Sequence, residues 1–176
     1  LRMHILFQPN ILDIFAWILA GYLLIRLIQT GTPRYLYFLA LALALGWYGK
    51  YSIVFMIAPI ALAFLLDARL RVWLTAKHLY VSAALFLALI APNLYWQASH
   101  GFPVMTHMKL LNDRLLVHVS RSQFLKEQLL INFPSLLIWA SGVAWLIIHP
   151  AARPYRSILV VYAGIIGLLL LANGKG

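Results

Sequence analysis

A chain with four carboxylates and no cysteine in 176 residues has few ways to do covalent chemistry. Asp13, Lys50 and Lys175 stand at the edges of long apolar runs, and Asn10, Tyr51, Asn93, Trp96 and His100 occupy similar positions. An ionisable group at mid-depth in a membrane helix costs about 2.5–3.5 kcal/mol on insertion scales, so each needs a reason. A lysine at headgroup depth is a fixed cation suited to a phosphate, or it simply snorkels to the interface. Asp13 lies within one turn of a helix start, where it serves as a functional carboxylate or only as an anion favoured by the helix dipole. Trp96, Trp47 and Tyr48 read equally as an aromatic belt. His100 reads more readily as a loop histidine than as a ligand, and His107 and His118 match no metal-ligand spacing. There is no glycine-rich phosphate loop, no Ser-His-Asp set and no carboxylate pair.

The elements that must position these residues follow from composition. Hydrophobic residues make up 64% of the chain and charged residues 10%, with a mean hydropathy of +0.88. A soluble domain is about half apolar and a quarter charged. The expected fold is therefore all-α, a polytopic transmembrane helix bundle. About six spans are expected, at residues 11–28, 35–49, 51–67, 78–97, 133–148 and 157–172, within one multi-span membrane domain. The net charge of +10 does not point to nucleic acid, because Lys and Arg lie mainly between the apolar runs.

The stretch from Tyr35 to Leu66 is too long for one span, at about 48 Å for a helix rising 1.5 Å per residue against a core of about 30 Å. Two short helices meeting at Lys50 fit better. That division also places Arg26, Arg34, Arg69, Arg71, Lys77, Arg153 and Arg156 on one side with a single acid, Asp67, which the positive-inside rule assigns to the cytoplasm. The opposite side also carries seven basic residues, four of them between Lys109 and Lys126. Pro92 is expected to loosen the outer end of its span. Residues 102–132 differ from the rest. Met108, Leu111, Leu115 and Val119 recur at helical spacing among charged residues, which predicts an amphipathic helix lying in the interface plane.

The topology gathers Asn10, Asp13, Lys50, Asn93, Trp96, Gln97, His100 and Lys175 on one outer face. In those residues and their surroundings the sequence resembles the bacterial protein-mannosyltransferase-like membrane glycosyltransferases (family 39, GT-C fold). The resembling stretches are Gln8 to Asp13 leading into Phe15-Ala-Trp-Ile-Leu, Arg26 to Arg34, Gly49-Lys-Tyr-Ser52, Ala91 to Gln97, His100-Gly-Phe-Pro103, Glu127 to Pro134 and Asn173-Gly-Lys-Gly176. Their order and spacing carry the likeness; each alone is weak. Gly49 stands where many relatives have Asn or Ser before the lysine.

The resemblance implies transfer of a sugar from a polyprenyl-phosphate donor to a lipid, glycan or protein acceptor, on the periplasmic face of a bacterial inner membrane. It implies donor-phosphate binding by Lys50 and Lys175, and substrate binding by Asn10, Asp13, Tyr51, Asn93, Trp96 and His100. No cofactor is certain, and a divalent metal is possible. The family's catalytic acid lies in a first outer loop that nothing here matches, so the chain is expected to be an internal fragment whose base lies upstream. A polytopic transporter or a non-catalytic membrane assembly subunit is the alternative, although transporter charges usually lie near the midplane and in repeats.

Overall fold

The computed structural model describes residues 9–114 and 121–172. Among them are helices and connecting turns, with no strand. The helices are α1 (Pro9–Thr30), α2 (Arg34–Gly49), α3 (Val54–Leu66), α4 (Ala68–Arg71), α5 (Lys77–Ser99), α6 (Pro103–Arg114), α7 (Arg121–Ile131), α8 (Leu136–Ile148) and α9 (Arg156–Leu171). The chain divides into two compact units, Leu1–Ala91 and Pro92–Gly176.

The first unit is organised by α1 and α2. Gly31, at φ +58°, ends α1 in the left-handed region, and its N–H bonds the Leu27 carbonyl at 2.9 Å. The chain then returns antiparallel. Ala16, Ala20, Leu23, Leu24 and Leu27 form a buried stripe on α1, at the i, i+4, i+7, i+8, i+11 spacing of one helix face. Small residues let the backbones approach: a Cβ added at Gly46 would lie 3.1 Å from the Ala16 Cβ. The other side of α1 presents Ile11, Ile14, Phe15, Ile18 and Tyr22, each more than half exposed. Such a face suits lipid and would be an aggregation liability in water.

Lys50 separates the two helices that the sequence divides at this point. Its backbone is extended (φ −162°, ψ 137°), and its N–H closes α2 on the Gly46 carbonyl at 2.8 Å. A 3-10 turn, Tyr51–Ile53, then opens α3. At the far end of α3, Asp67 accepts from the Arg69 N–H at 2.8 Å while Arg71 Nε donates to the Leu65 carbonyl at 3.0 Å. That elbow bends the chain by 90° between Tyr51–Leu66 and Ala68–Thr75.

Three helices are long and apolar enough to cross a membrane, Asn10–Thr30, Lys77–Ser99 and Pro150–Leu171, and the number reaches five if each of two bent pairs is one span. The expected six are not confirmed among the described residues. The expected span at 35–49 is α2, whose 16 residues extend only about 24 Å.

Pro92 does not loosen α5, which runs unbroken to Ser99. Proline removes one N–H and crowds the carbonyls of the preceding turn. The carbonyl left without its donor is that of Ala88; the next one, Leu89, accepts a hydrogen bond from the Tyr48 hydroxyl at 2.8 Å. A side chain from a neighbouring helix thus adds a bond within the turn that precedes the proline.

In the second unit, residues 102–132 hold α6 and α7, and residues 115–120 lie outside the described residues. Among the helices described, α6 separates its polar and apolar residues most sharply. Of the expected interfacial stripe, Leu115 and Val119 lie outside the described residues. After α7 the chain bends by 63° into the helix Phe133–Ile148. There Leu137 and Ile138 are 85% and 76% exposed, as a lipid-facing or assembly-facing surface would be. Arg156 returns to donate to the Ile147 carbonyl at 2.7 Å, closing the turn between α8 and α9.

Candidate functional site

The polar focus of the first unit lies where the start of α1 meets the end of α2. Asp13 is half-buried there, one turn into α1. Trp17, one turn further along, donates its indole N–H to Asp13 Oδ1 at 3.0 Å. From beyond the α2 terminus, Ser52 donates its hydroxyl to the same oxygen at 2.9 Å. A carboxylate with two such donors is held in one orientation, since hydrogen bonds to a charged acceptor are stronger than neutral ones. Both bonds use Oδ1; among the described residues, Oδ2 has no partner.

Lys50 is bracketed by residues that touch this carboxylate's segment. Gly49, immediately before it, lies so close to α1 that a Cβ would stand 3.3 Å from the Leu12 Cβ and 3.4 Å from the Asp13 nitrogen. Ser52 follows two residues later. Glycine at 49 therefore has a packing reason: a larger residue would push the lysine segment away from α1. Lys50 itself is exposed, and its ammonium has no partner among the described residues. Tyr51 packs its ring edge-on against Trp47, with centroids 5.1 Å apart, and Trp47 meets Phe86 of α5 at 6.5 Å. Asn10 sits exposed in the first turn of α1.

The expected site residues of the second unit form their own group on the last turns of α5. Trp96 stacks on His100 with centroids 4.6 Å apart and ring planes inclined by 24°. His100 Nδ1 lies 2.8 Å from the Trp96 carbonyl oxygen. A carbonyl can only accept, so Nδ1 carries the proton and a neutral ring keeps its lone pair on Nε2. Asn93, one turn earlier, is half-buried. Gln97 is buried and accepts the Val104 N–H at 3.3 Å, while its carbonyl receives the Phe102 N–H at 2.7 Å. These bonds close α5 through Gly101 (φ +72°) and Phe102 (φ +56°). A left-handed phenylalanine is strained by about 1–2 kcal/mol, and the surrounding bonds must hold it.

The structure thus joins Asp13 to the Lys50 segment and Trp96 to His100. Lys175 lies outside the described residues. Sequence reasoning omitted Trp17 and Ser52 as site residues. The signals were present, in the i+4 spacing from Asp13 to Trp17 and in the polar Ser52 just beyond the lysine. Among the described residues, no group of three or more His, Asp or Glu side chains is placed to hold a metal ion.

Compared with known families, residues 1–96 match the model of the dolichyl-phosphate-mannose-protein mannosyltransferases. That is more than half of the chain, and it contains the whole α1–α2 tip. The chain belongs to this family. It is accordingly a multi-pass membrane protein of the GT-C glycosyltransferase type. No curated protein and no solved structure matches it. Asn10, Asp13, Lys50, Tyr51, Asn93 and Trp96 fall inside the matched stretch, and His100 and Lys175 outside it.

Proposed function

We propose that the α1–α2 tip holds the phosphate of a polyprenyl-phosphate-linked sugar during its transfer to an acceptor at the outer, periplasmic face of a bacterial inner membrane. The observation that carries this reading is the convergence of Gly49 and Ser52, the residues that flank the Lys50 segment, on Asp13 at one end of a helix about 33 Å long. That length spans the hydrocarbon core, so its ends lie at headgroup depth. A lipid-linked phosphate sits at the same depth.

The chemistry asks for such a cation. The bond from the sugar's anomeric carbon to the phosphate oxygen breaks, and the electron pair leaves with the phosphate. The acceptor oxygen bonds the anomeric carbon, passing an oxocarbenium-like state, and its proton goes to a base. Negative charge grows on the leaving phosphate, where a fixed ammonium stabilises it more than in the ground state. Lys50 has that role, with Lys175 as a second candidate. Asp13, clamped through Oδ1, keeps Oδ2 for a sugar hydroxyl, for a divalent ion or for positioning the lysine. Asn10 and Tyr51 border this tip. Asn93, Trp96 and His100 form a separate candidate surface for sugar or acceptor, with Trp96 offering an aromatic face. No residue of this chain is assigned as the base.

Replacing Lys50 with Ala in the full-length enzyme is expected to reduce sugar transfer from a polyprenyl-phosphate donor by about 100-fold or more, with membrane insertion intact, as losing a transition-state electrostatic contact does. Turnover at the normal rate in Lys50→Ala would remove the lysine from the site.

A further inference from the structure

The opposite end of the α1–α2 hairpin holds a second polar focus, unrelated to the transfer chemistry. Arg26 Nη2 and Arg34 Nη2 each donate to the Tyr35 hydroxyl oxygen, both at 3.3 Å. Their guanidinium carbons lie 5.6 and 5.1 Å from the Tyr35 ring centroid. Tyr35 is buried, and Arg26 Nη1 is steadied by Gln29 Oε1 at 3.1 Å. Two like charges therefore converge on one neutral acceptor. Among the described residues neither guanidinium has a carboxylate partner, and Arg26 Nε is buried with no partner at all.

Other arginines at helix ends behave differently. Arg71 donates to the Leu65 and Leu66 carbonyls, and Arg156 to those of Leu146 and Ile147, so both cap the C-terminus of a preceding helix. Arg26 and Arg34 cap nothing. The neighbouring threonines are committed locally, Thr30 Oγ donating to the Arg26 carbonyl at 2.8 Å and Thr32 Oγ to the Thr30 carbonyl at 3.4 Å.

We propose that Arg26 and Arg34, splayed on Tyr35, form a binding site for a phosphate-bearing anion at the membrane surface opposite Lys50. Guanidinium forks match phosphate oxygens in bidentate fashion, and an anion between them relieves the repulsion of two close positive charges. The site is distinct from the donor-phosphate candidate. Arg26 lies thirteen positions along α1 from Asp13, about 20 Å. At headgroup depth the phosphate comes from an anionic lipid or from a soluble phosphate compound.

The test uses full-length protein purified in detergent and native mass spectrometry, titrating phosphatidylglycerol against phosphatidylcholine, with inorganic phosphate in a separate arm. Wild type is expected to retain phosphatidylglycerol at least tenfold more tightly than phosphatidylcholine, and Arg26→Gln/Arg34→Gln to lose that preference. Arg71→Gln, an equal change in charge at a capping arginine, is expected to stay within twofold of wild type. Tyr35→Phe keeps both charges but frees their side chains, and should weaken binding severalfold. Phosphatidylglycerol that resists displacement by inorganic phosphate assigns the lipid as the source. Retention of inorganic phosphate without lipid preference, lost in the double variant, assigns a soluble source. If the glutamine pair does not fold, Arg26→Lys/Arg34→Lys replaces it, with weakened binding expected because the forks are gone. Undiminished binding of both probes in the arginine variants, or an equal loss in Arg71→Gln, would overturn the site.

Discussion

Replacing Ser52 with Ala tests whether the clamp on Asp13 serves catalysis or only joins two helices. The lost bond is 2.9 Å long and ends on a carboxylate. Hydrogen bonds to charged groups contribute about 1.5–3 kcal/mol. Each 1.4 kcal/mol is tenfold in rate, so the ceiling on the loss of kcat/KM is roughly 10- to 150-fold if the bond is needed in the transition state. Trp17 still donates to Oδ1 in this variant, which argues for the lower end of that range. The assay is the initial rate of sugar transfer by full-length enzyme from a polyprenyl-phosphate donor, with Tm measured in parallel. Ser52→Thr keeps the hydroxyl and should recover most of the rate.

A cycle with Asp13→Asn separates the readings further. If the two side chains act as one unit, the double variant should lose little more than Asp13→Asn alone, because coupled residues are not additive. Were Ser52→Ala to lower Tm while leaving kcat/KM untouched, Asp13 would be a helix-end anchor, favoured by the α1 dipole and by its two donors, with no part in substrate handling.

Two further predictions follow from the packing of the first unit. Tyr48→Phe removes the donor to the Leu89 carbonyl and should lower stability by about 0.6–1 kcal/mol, with faster amide exchange near Pro92 in α5; an unchanged exchange profile would mean that the helix carries its proline unaided. In a full-length protein with single cysteines at position 50 and at position 32, an impermeant thiol reagent should label them from opposite sides of the membrane, because Lys50 and Thr32 lie at opposite ends of α2. Labelling of both from one side would show that the hairpin lies in the interface and does not cross.

The break at Lys50 was legible because length forced it: no single helix from Tyr35 to Leu66 fits the thickness of a bilayer. The all-helical class was legible from composition for the same kind of reason. The partner of Asp13 was not. Ser52 is 39 residues away, and its contact depends on the register in which α2 lies against α1. Gly46 and Gly49 set that register by close approach to Ala16, Leu12 and Asp13, and small residues in an apolar run give no directional signal until the partner helix is known. The expected loosening at Pro92 is not seen, because α5 continues through it to Ser99, with Tyr48 from α2 bonded to the Leu89 carbonyl in the turn before it. The count of six spans is not confirmed, because α2 closes after 16 residues, short of the length that marks a crossing by itself.

The two ends of the α1–α2 hairpin differ in a way that bears on function. At the Lys50 end an acid is held by two neutral donors, and a lysine beside it is left without a partner among the described residues. At the Arg26 end a neutral phenol is held by two cations, and no acid is paired with them among the described residues. A hairpin built only to cross or line a membrane would gain most by pairing its charges with each other or by omitting them. Each end instead leaves a cation without an acidic partner among the described residues, at the depth where phosphates lie. Only the Lys50 end adds a fixed carboxylate, which a step that builds charge on a leaving phosphate needs for orienting the sugar and which simple anion binding does not. That asymmetry is why the transfer chemistry is assigned to the Lys50 end and only phosphate retention to the other. An Asp13→Asn variant that lost transfer but kept the phosphatidylglycerol preference would separate the two ends in one molecule.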